Sequence, residues 1–332
     1  MASYFVDPVN GNDTNGGTNQ LSAFLTFQKA LNTAVAGDMV YLRHLNAIDE
    51  TLSTGLTTAN AGSSSGGEIR FYGVDSNWDI SGEKYSVAGP GSIAKLLNIG
   101  HNYIKFKNIK FNGGGEAVGS TTSGDHHFDN VIFSGATGYG FNGSALSRTL
   151  LTNCLFENNG SYGLRTPNVE GILSFCTIRN NATGGIQGYT NSSYGWSVRN
   201  SIIHDNGTYG INCVYGWAII ENSVLDGHIT CLYMGSNATR QSLVLGNRFT
   251  NYYIRGVYAN AVAKIYPLFS HNYFQQIDGL SIINGDMNIL LTAGGADTNM
   301  YGSADGYVDR ANRNFNLTAD AIMRRVPITL PS

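Results

Sequence analysis

The stretch SGDHHFDN, residues 123–130, places Asp125, His127 and Asp129 at alternate positions around the large apolar Phe128. Alternate side chains of a strand share a face, so burying Phe128 turns all three polar groups outward together. Two carboxylates beside an imidazole can bind a hard cation, shift the proton affinity of the histidine, or supply a base for sugar chemistry. Lys105, Lys107 and Arg148 lie about one repeat away on either side. With them the same residues equally describe cross-strand ion pairs on a wet face, the more ordinary use of such a pattern. A second set is aromatic. Tyr139, Tyr162 and Tyr209 each stand just before a glycine, with Tyr189, Tyr194, Trp196, Tyr215 and Trp217 nearby. Pointing away from a core, they offer flat bodies with polar handles to glycan rings or a partner protein, or else they cover turns and stack on one another. Cys154, Cys176, Cys213 and Cys231 lack zinc-ligand spacing and sit in apolar runs, so they read as free core thiols. Neither a metal nor a cofactor is implied.

What must position these groups is a repeat. FENNGSYGLR (156–165), IRNNATGGIQ (178–187) and IHDNGTYGIN (203–212) are variations on one pattern. Aligned on the large residue closing each strand, the chain reads Phe111, Phe133, Phe156, Ile178, Ile203, Leu225, Phe249 and Phe274, at steps of 22, 23, 22, 25, 22, 24 and 25 residues. Three positions earlier stand Asn108, Asn130, Asn153, Phe175, Asn200, Asn222, Gly246 and His271. Asparagine tolerates the left-handed conformation of a sharp bend, and its side chain can bond to the copy stacked on it. A further apolar slot follows each turn, in Phe141, Leu164, Ile186, Ile211, Leu232, Val257 and Leu280. Charged residues make up only 13% of the chain and glycine reaches 42, a mixture that suits turns and sheets and starves helices. A leucine-rich repeat would need a Leu-x-x-Leu-x-Leu frame, whereas here Phe, Ile and Val alternate with polar residues. The period describes a coil of short strands.

These repeats resemble the single-stranded right-handed parallel β-helix of the pectin-lyase-like superfamily. YFVDPVNGNDTNGGT followed by FLTFQKALNTAVAGDMVYL is similar to the opening segment of many such chains: a strand, a Gly/Asn/Asp loop, an amphipathic helix and a Gly-Asp-x-Val strand. Phe27, Ala30, Leu31 and Ala34 share one helical face, suited to capping the open first coil. The expected organisation is an opening strand and capping helix over 1–42, a parallel β-helix with irregular early coils over 43–291, and a tail over 292–332. The resemblance implies clustered carboxylates, calcium or a basic proton acceptor acting on polysaccharides, but neither the Asn-Thr-Asp, Asp-Asp, Gly-His-Gly and Arg-x-Lys set of polygalacturonases nor an Arg-x-Pro-x-x-Arg is present. The ending RRVPITLP is similar to phage virion proteins.

The outward slots are unexpectedly apolar. Phe106, Phe128, Leu151, Leu173, Val198, Ile220, Val244 and Phe269 must line the core, so their predecessors face out. Those include Leu150, Ile172, Ile219, Leu243 and Leu268, and a second outward slot contains Ile132, Leu155 and Ile202. Stacked about 4.8 Å apart, they form bands larger than a monomer usually exposes. A homotrimer contact, a capsid or tail protein, the 43–95 excursion or the tail are the expected covers.

A net charge of -3 with scattered lysines and arginines argues against nucleic acid. No apolar run is long enough for membrane insertion, and MASYFVDPVNG lacks the features of a secretory signal. Cytoplasmic synthesis is expected. The sequence therefore favours a structural and binding protein of a phage-like virion, a capsid-decorating or receptor-binding spike with affinity for surface polysaccharide. The alternative is a polysaccharide lyase or glycoside hydrolase.

Overall fold

A computed structural model describes residues 1–122, 124–143, 148–166, 170–188, 195–214, 217–234, 242–259, 268–270, 272–276, 283–284, 300–302, 307–309 and 314–317. The chain winds through three long parallel sheets, visited in turn by each coil of a right-handed β-helix. Sheet A has eleven strands, from Ser3–Val6 to Leu268–Ser270. Sheet B also has eleven, from Glu50–Thr51 to Met300–Gly302, and sheet C has ten, from Leu56–Thr57 to Ile283–Asn284. A helix at Phe27–Thr33 buries Phe27, Ala30 and Leu31, as its amphipathic face requires. Thr26 caps it, and Glu50 accepts from the Phe27 amide at 3.1 Å, so the first strand of sheet B helps fix the cap.

The repeat slots are columns. Phe111, Phe133, Phe156, Ile178, Ile203, Leu225, Phe249 and Phe274 are register partners along sheet B. Those from Phe111 to Phe249 are fully buried, and the Phe133 and Phe156 rings stack at 4.6 Å and 6°. The core column of sheet A runs from Phe106 to Phe269 in the expected register. In sheet C, Phe141, Leu164, Ile186, Ile211, Leu232 and Val257 stack, but the next rung is Ile283 instead of Leu280, which lies outside the described residues.

Seven successive bends from sheet A to sheet B are each made by one residue of positive φ: Asn108, Asn130, Asn153, Phe175, Asn200, Asn222 and Gly246 all lie between 50° and 65°, and the expected His271 lies outside the described residues. Side-chain bonding between these rungs is limited. Asn130 donates to Asn108 Oδ1 at 2.8 Å, whereas Asn153 turns to Asp129. Continuous ladders run inside instead. The backbone amides of Cys154, Cys176, Ser201, Ser223 and Asn247 donate in sequence to Cys176 Sγ, Ser201 Oγ, Ser223 Oγ, Asn247 Oδ1 and Asn272 Oδ1. The free, buried thiols of Cys154 and Cys176 thus stack on adjacent coils, and the Cys176 sulfur serves as a small acceptor.

At the corner between sheets B and C stands a second interior ladder. Asn159 donates to Phe133 O and Asn181 Oδ1, Asn181 to Phe156 O and Asn206 Oδ1, and Asn206 to Ile178 O. His228 continues it, with Nε2 3.0 Å from Ile203 O. All four are nearly inaccessible, so each polar group must find its partner inside the protein, and the coil spacing supplies it.

Candidate functional site

The acid and histidine set lies on the outer face of sheet A. His127 is level with Lys105 and Leu150, and Asp129 with Lys107 and Thr152. Lys107 Nζ and Asp129 Oδ2 are 3.0 Å apart. Burial works to raise the pKa of Asp129, but hydrogen bonds from Lys107 and Asn153 outweigh it and hold the carboxyl below its usual value. His127 is shifted down, first by burial and then by Lys105, which keeps it neutral at pH 7. Asp125 stands exposed before the strand begins, and the strand of Arg148 places that residue level with Glu170. Of the expected cross-strand ion pairs, the structure shows the one between Lys107 and Asp129. Among the described residues no three His, Cys, Asp or Glu side chains converge on a metal-sized point.

Farther up the same face the expected apolar column appears in register: Leu150, Ile172, Ser197, Ile219, Leu243 and Leu268. Leu150 is 37% exposed, Ile172 46%, and Phe175 at the adjoining bend 61%. Ile219 and Leu243 are half-buried, and the side chain of Leu268 lies outside the described residues. Ile132, Leu155 and Ile202 are half-buried along sheet B. Residues 43–95 contribute strands to the first coils and leave Leu150 and Ile172 in solvent.

The tyrosines do not form one open stack. Tyr162 is only 5% exposed, and Asn212 on a later coil donates to its hydroxyl at 3.2 Å. Gly184, its register partner, leaves the space that its ring covers. Burial raises the Tyr162 pKa. Tyr139 is half-buried beneath the Arg165 guanidinium, 4.9 Å from its ring centre, and Tyr209 packs edge-on against Tyr233 at 5.7 Å. Tyr189, Tyr194 and Tyr215 lie outside the described residues.

The outer face of sheet C carries the arrangement that sequence reasoning missed. Asn98, Gly119, Asn142, Arg165, Gln187 and Asn212 are successive register partners on six coils. Asn98 Oδ1, Asn142 Oδ1, Arg165 Nε, Gln187 Oε1 and Asn212 Oδ1 are all buried without a hydrogen-bond partner, and so is Glu116 Oε2 beside them. Glu116 is level with Lys95, and its other oxygen accepts from Asn142 Nδ2 at 2.5 Å. An open groove of about 520 Å³, lined in part by Ser53, Thr57, Ser92, Lys95, Asn98 and Thr121, leads onto the first rungs. Buried polar atoms without partners carry a desolvation cost of about 1–3 kcal/mol each, and of this row Asn98 lines the groove. The row is hard to see in sequence because its residues differ in type. Its signal was position, one residue after the apolar slots Leu97, Phe141, Leu164, Ile186 and Ile211.

Comparison with known proteins agrees with this architecture. Residues 96–249 match the family model described as "Right handed beta helix region". A pectate lyase, Pel9A, superposes with a TM-score of 0.65 at 15% identity, covering 96% of this chain and 90% of its own. A rhamnogalacturonan lyase superposes with a TM-score of 0.67 at 12% identity, covering 98% of both chains. At these identities the likeness establishes the fold. A search of curated protein sequences finds no significant match.

Proposed function

We propose that this pectin-lyase-like parallel β-helix binds a polysaccharide along the outer face of sheet C. The observation that carries the reading is the row of unpartnered buried polar atoms from Asn98 to Asn212. Five coil spacings of about 4.8 Å make it roughly 24 Å long, an extended shape that fits a chain better than a compact metabolite. Sugar hydroxyls, which both donate and accept, are suited to such atoms. Cleavage of the bound chain is the enzymatic form of the same reading. It draws support from the lyase names of two neighbours, an analogy of fold alone, and from Glu116 and Lys95, two proton-carrying groups on adjacent coils. Among the described residues this face carries one carboxylate, so the paired-carboxylate scheme of glycoside hydrolysis is not met by it. Affinity electrophoresis through gels containing polysaccharides, followed by assay for released reducing ends, tests both forms. Mobility unaffected by every polymer would remove the reading.

A second reading concerns sheet A, where Leu150, Ile172 and Phe175 are exposed together. Their exposure favours a protein contact there, through self-assembly or against capsid or tail proteins of a virion. Such a protein would use sheet C to hold surface glycan. Light scattering decides: Ile172→Glu is expected to dissociate an oligomer while leaving the coils folded, and a monomeric wild type that does not co-purify with particles would rule this reading out.

A further inference from the structure

We infer that the outer face of sheet A is a self-complementary dimer surface, on which a second copy of this chain packs antiparallel about a twofold axis between the strands Arg148–Thr152 and Glu170–Ser174. The inference rests on the reading that this face makes a protein contact, and it names the partner. The order of charges along one outward row carries it. Lys107, Asp129, Thr152, Ser174, Arg199 and Glu221 are successive register partners on six coils. Lys107 pairs with Asp129 at 3.0 Å and Arg199 with Glu221 at 2.9 Å, and all four side chains remain partly exposed. The signs along the row are therefore plus, minus, two neutral residues, plus, minus. A twofold at the centre of the neutral pair sets Lys107 opposite Glu221 of the second copy and Asp129 opposite Arg199, with Thr152 opposite Ser174. Each pair within a chain becomes half of a four-charge cluster of alternating sign.

Other placements lose the match. An axis centred on the strand of Leu150 sets Lys107 against Arg199, and one centred on the strand of Ile172 sets Asp129 against Glu221. A parallel arrangement turns this row toward the opposite edge of the same strands, where Arg199 and Glu221 meet Gly195 and Trp217 and find no opposite charge. The axis that pairs the charges also passes between Leu150 and Ile172, the two members of the apolar column that are most open to solvent among the described side chains. Phe175 adds an independent observation. It holds φ at 56°, where the other six bends carry asparagine or glycine, and it is exposed. A bulky residue is costly in that conformation and gains little from its own coil. In the dimer its bend lies opposite that of Asn153, once on each side of the axis. Six coils of five-residue strands make a contact of roughly 29 Å by 16 Å, small for a specific interface, so association in the micromolar range is expected.

Charge exchange tests the orientation. One variant carries Lys107→Asp with Asp129→Lys, the other Arg199→Glu with Glu221→Arg, and each reverses an ion pair within its own chain without removing it. The full chain and both variants would be followed by sedimentation velocity in a dilution series through the micromolar range, with the melting temperature as the check on folding. Expected are a wild-type dimer, association about a hundredfold weaker for either variant alone, and wild-type association in their equimolar mixture, where every charge again meets its opposite. Zero-length carbodiimide crosslinking of the wild type needs no variant to fold. It should join Lys107 to Glu221 in the dimer, residues that lie five coils and about 24 Å apart within one chain. Variants that dimerise like wild type, folded variants whose mixture stays monomeric, a trimer, or dimer crosslinks confined to other faces would overturn the antiparallel twofold. Dissociation of the wild-type assembly by Ile172→Glu would then leave the contact on sheet A standing. A wild type monomeric throughout the series would overturn the twofold and self-assembly together.

Discussion

Two rows of asparagine run along this molecule at the same coil spacing and meet opposite fates. At the corner of sheets B and C, Asn159, Asn181 and Asn206 all donate to carbonyls of the closing column, and Asn159 and Asn181 donate also to the asparagine of the next rung. On the outer face of sheet C, Asn98, Asn142 and Asn212 each keep a buried oxygen without a donor. Residue type is shared, and so is the period. What differs is the neighbour one coil away: another asparagine in the first row, and Gly119, Arg165 or Gln187 in the second. A ladder of like residues closes on itself and holds the fold, whereas a mixed row leaves buried acceptors unpaired.

The largest way to break this contrast is Asn181→Leu. It removes the bonds to Phe156 O and Asn206 Oδ1 and takes the Asn181 Oδ1 acceptor from both the backbone and the side-chain amide of Asn159, with an expected loss of about 3–5 kcal/mol, read from the urea midpoint. Acid acts next. Burial lowers the pKa of His126 and His228 to about 4 from 6.5. The unfolded chain therefore binds protons at these sites where the folded chain does not. Stability should be full above about pH 6.5 and fall as pH drops toward 4, by an order of about 3 kcal/mol for each histidine, and His228→Asn should flatten the profile in pH-dependent urea titrations. A smaller effect belongs to sheet A. Lys107→Met, which breaks the pair with Asp129, should cost under about 1 kcal/mol because both partners are partly exposed. The one change expected not to destabilise is Gln187→Leu in the open row, which removes a buried oxygen that has no partner and should leave the urea midpoint unchanged or raise it. A loss as large as that of Asn181→Leu would show the two rows to be one kind of structure.

The columns were legible in the sequence because the core tests every coil in the same way. Phe111, Phe133 and Phe156 must all be large, and the bend before each must accept positive φ, so spacing alone located both. Outward faces are not filtered so strictly. Lys107 with Asp129 could be paired by alternation, but burial of Tyr162 depends on Gly184 and Asn212, residues on later coils with no pattern of their own. The inner ladder left a signal, since Asn159, Asn181, Asn206 and His228 all stand three residues after a closing position. The open row left almost none, because its residues differ in type from coil to coil and no shared slot repeats them.

Parallel stacking in register also makes the coil a unit of length. Each circuit ends one rung above its start, so deleting or duplicating a whole period, such as the 22 residues from Phe156 to Thr177, leaves every remaining side chain facing as before. The capping helix holds one end fixed. Growth therefore proceeds in whole steps, and with each step the reach of the sheet C face changes by one rung, making its span a heritable quantity that can drift without redesign of any single contact.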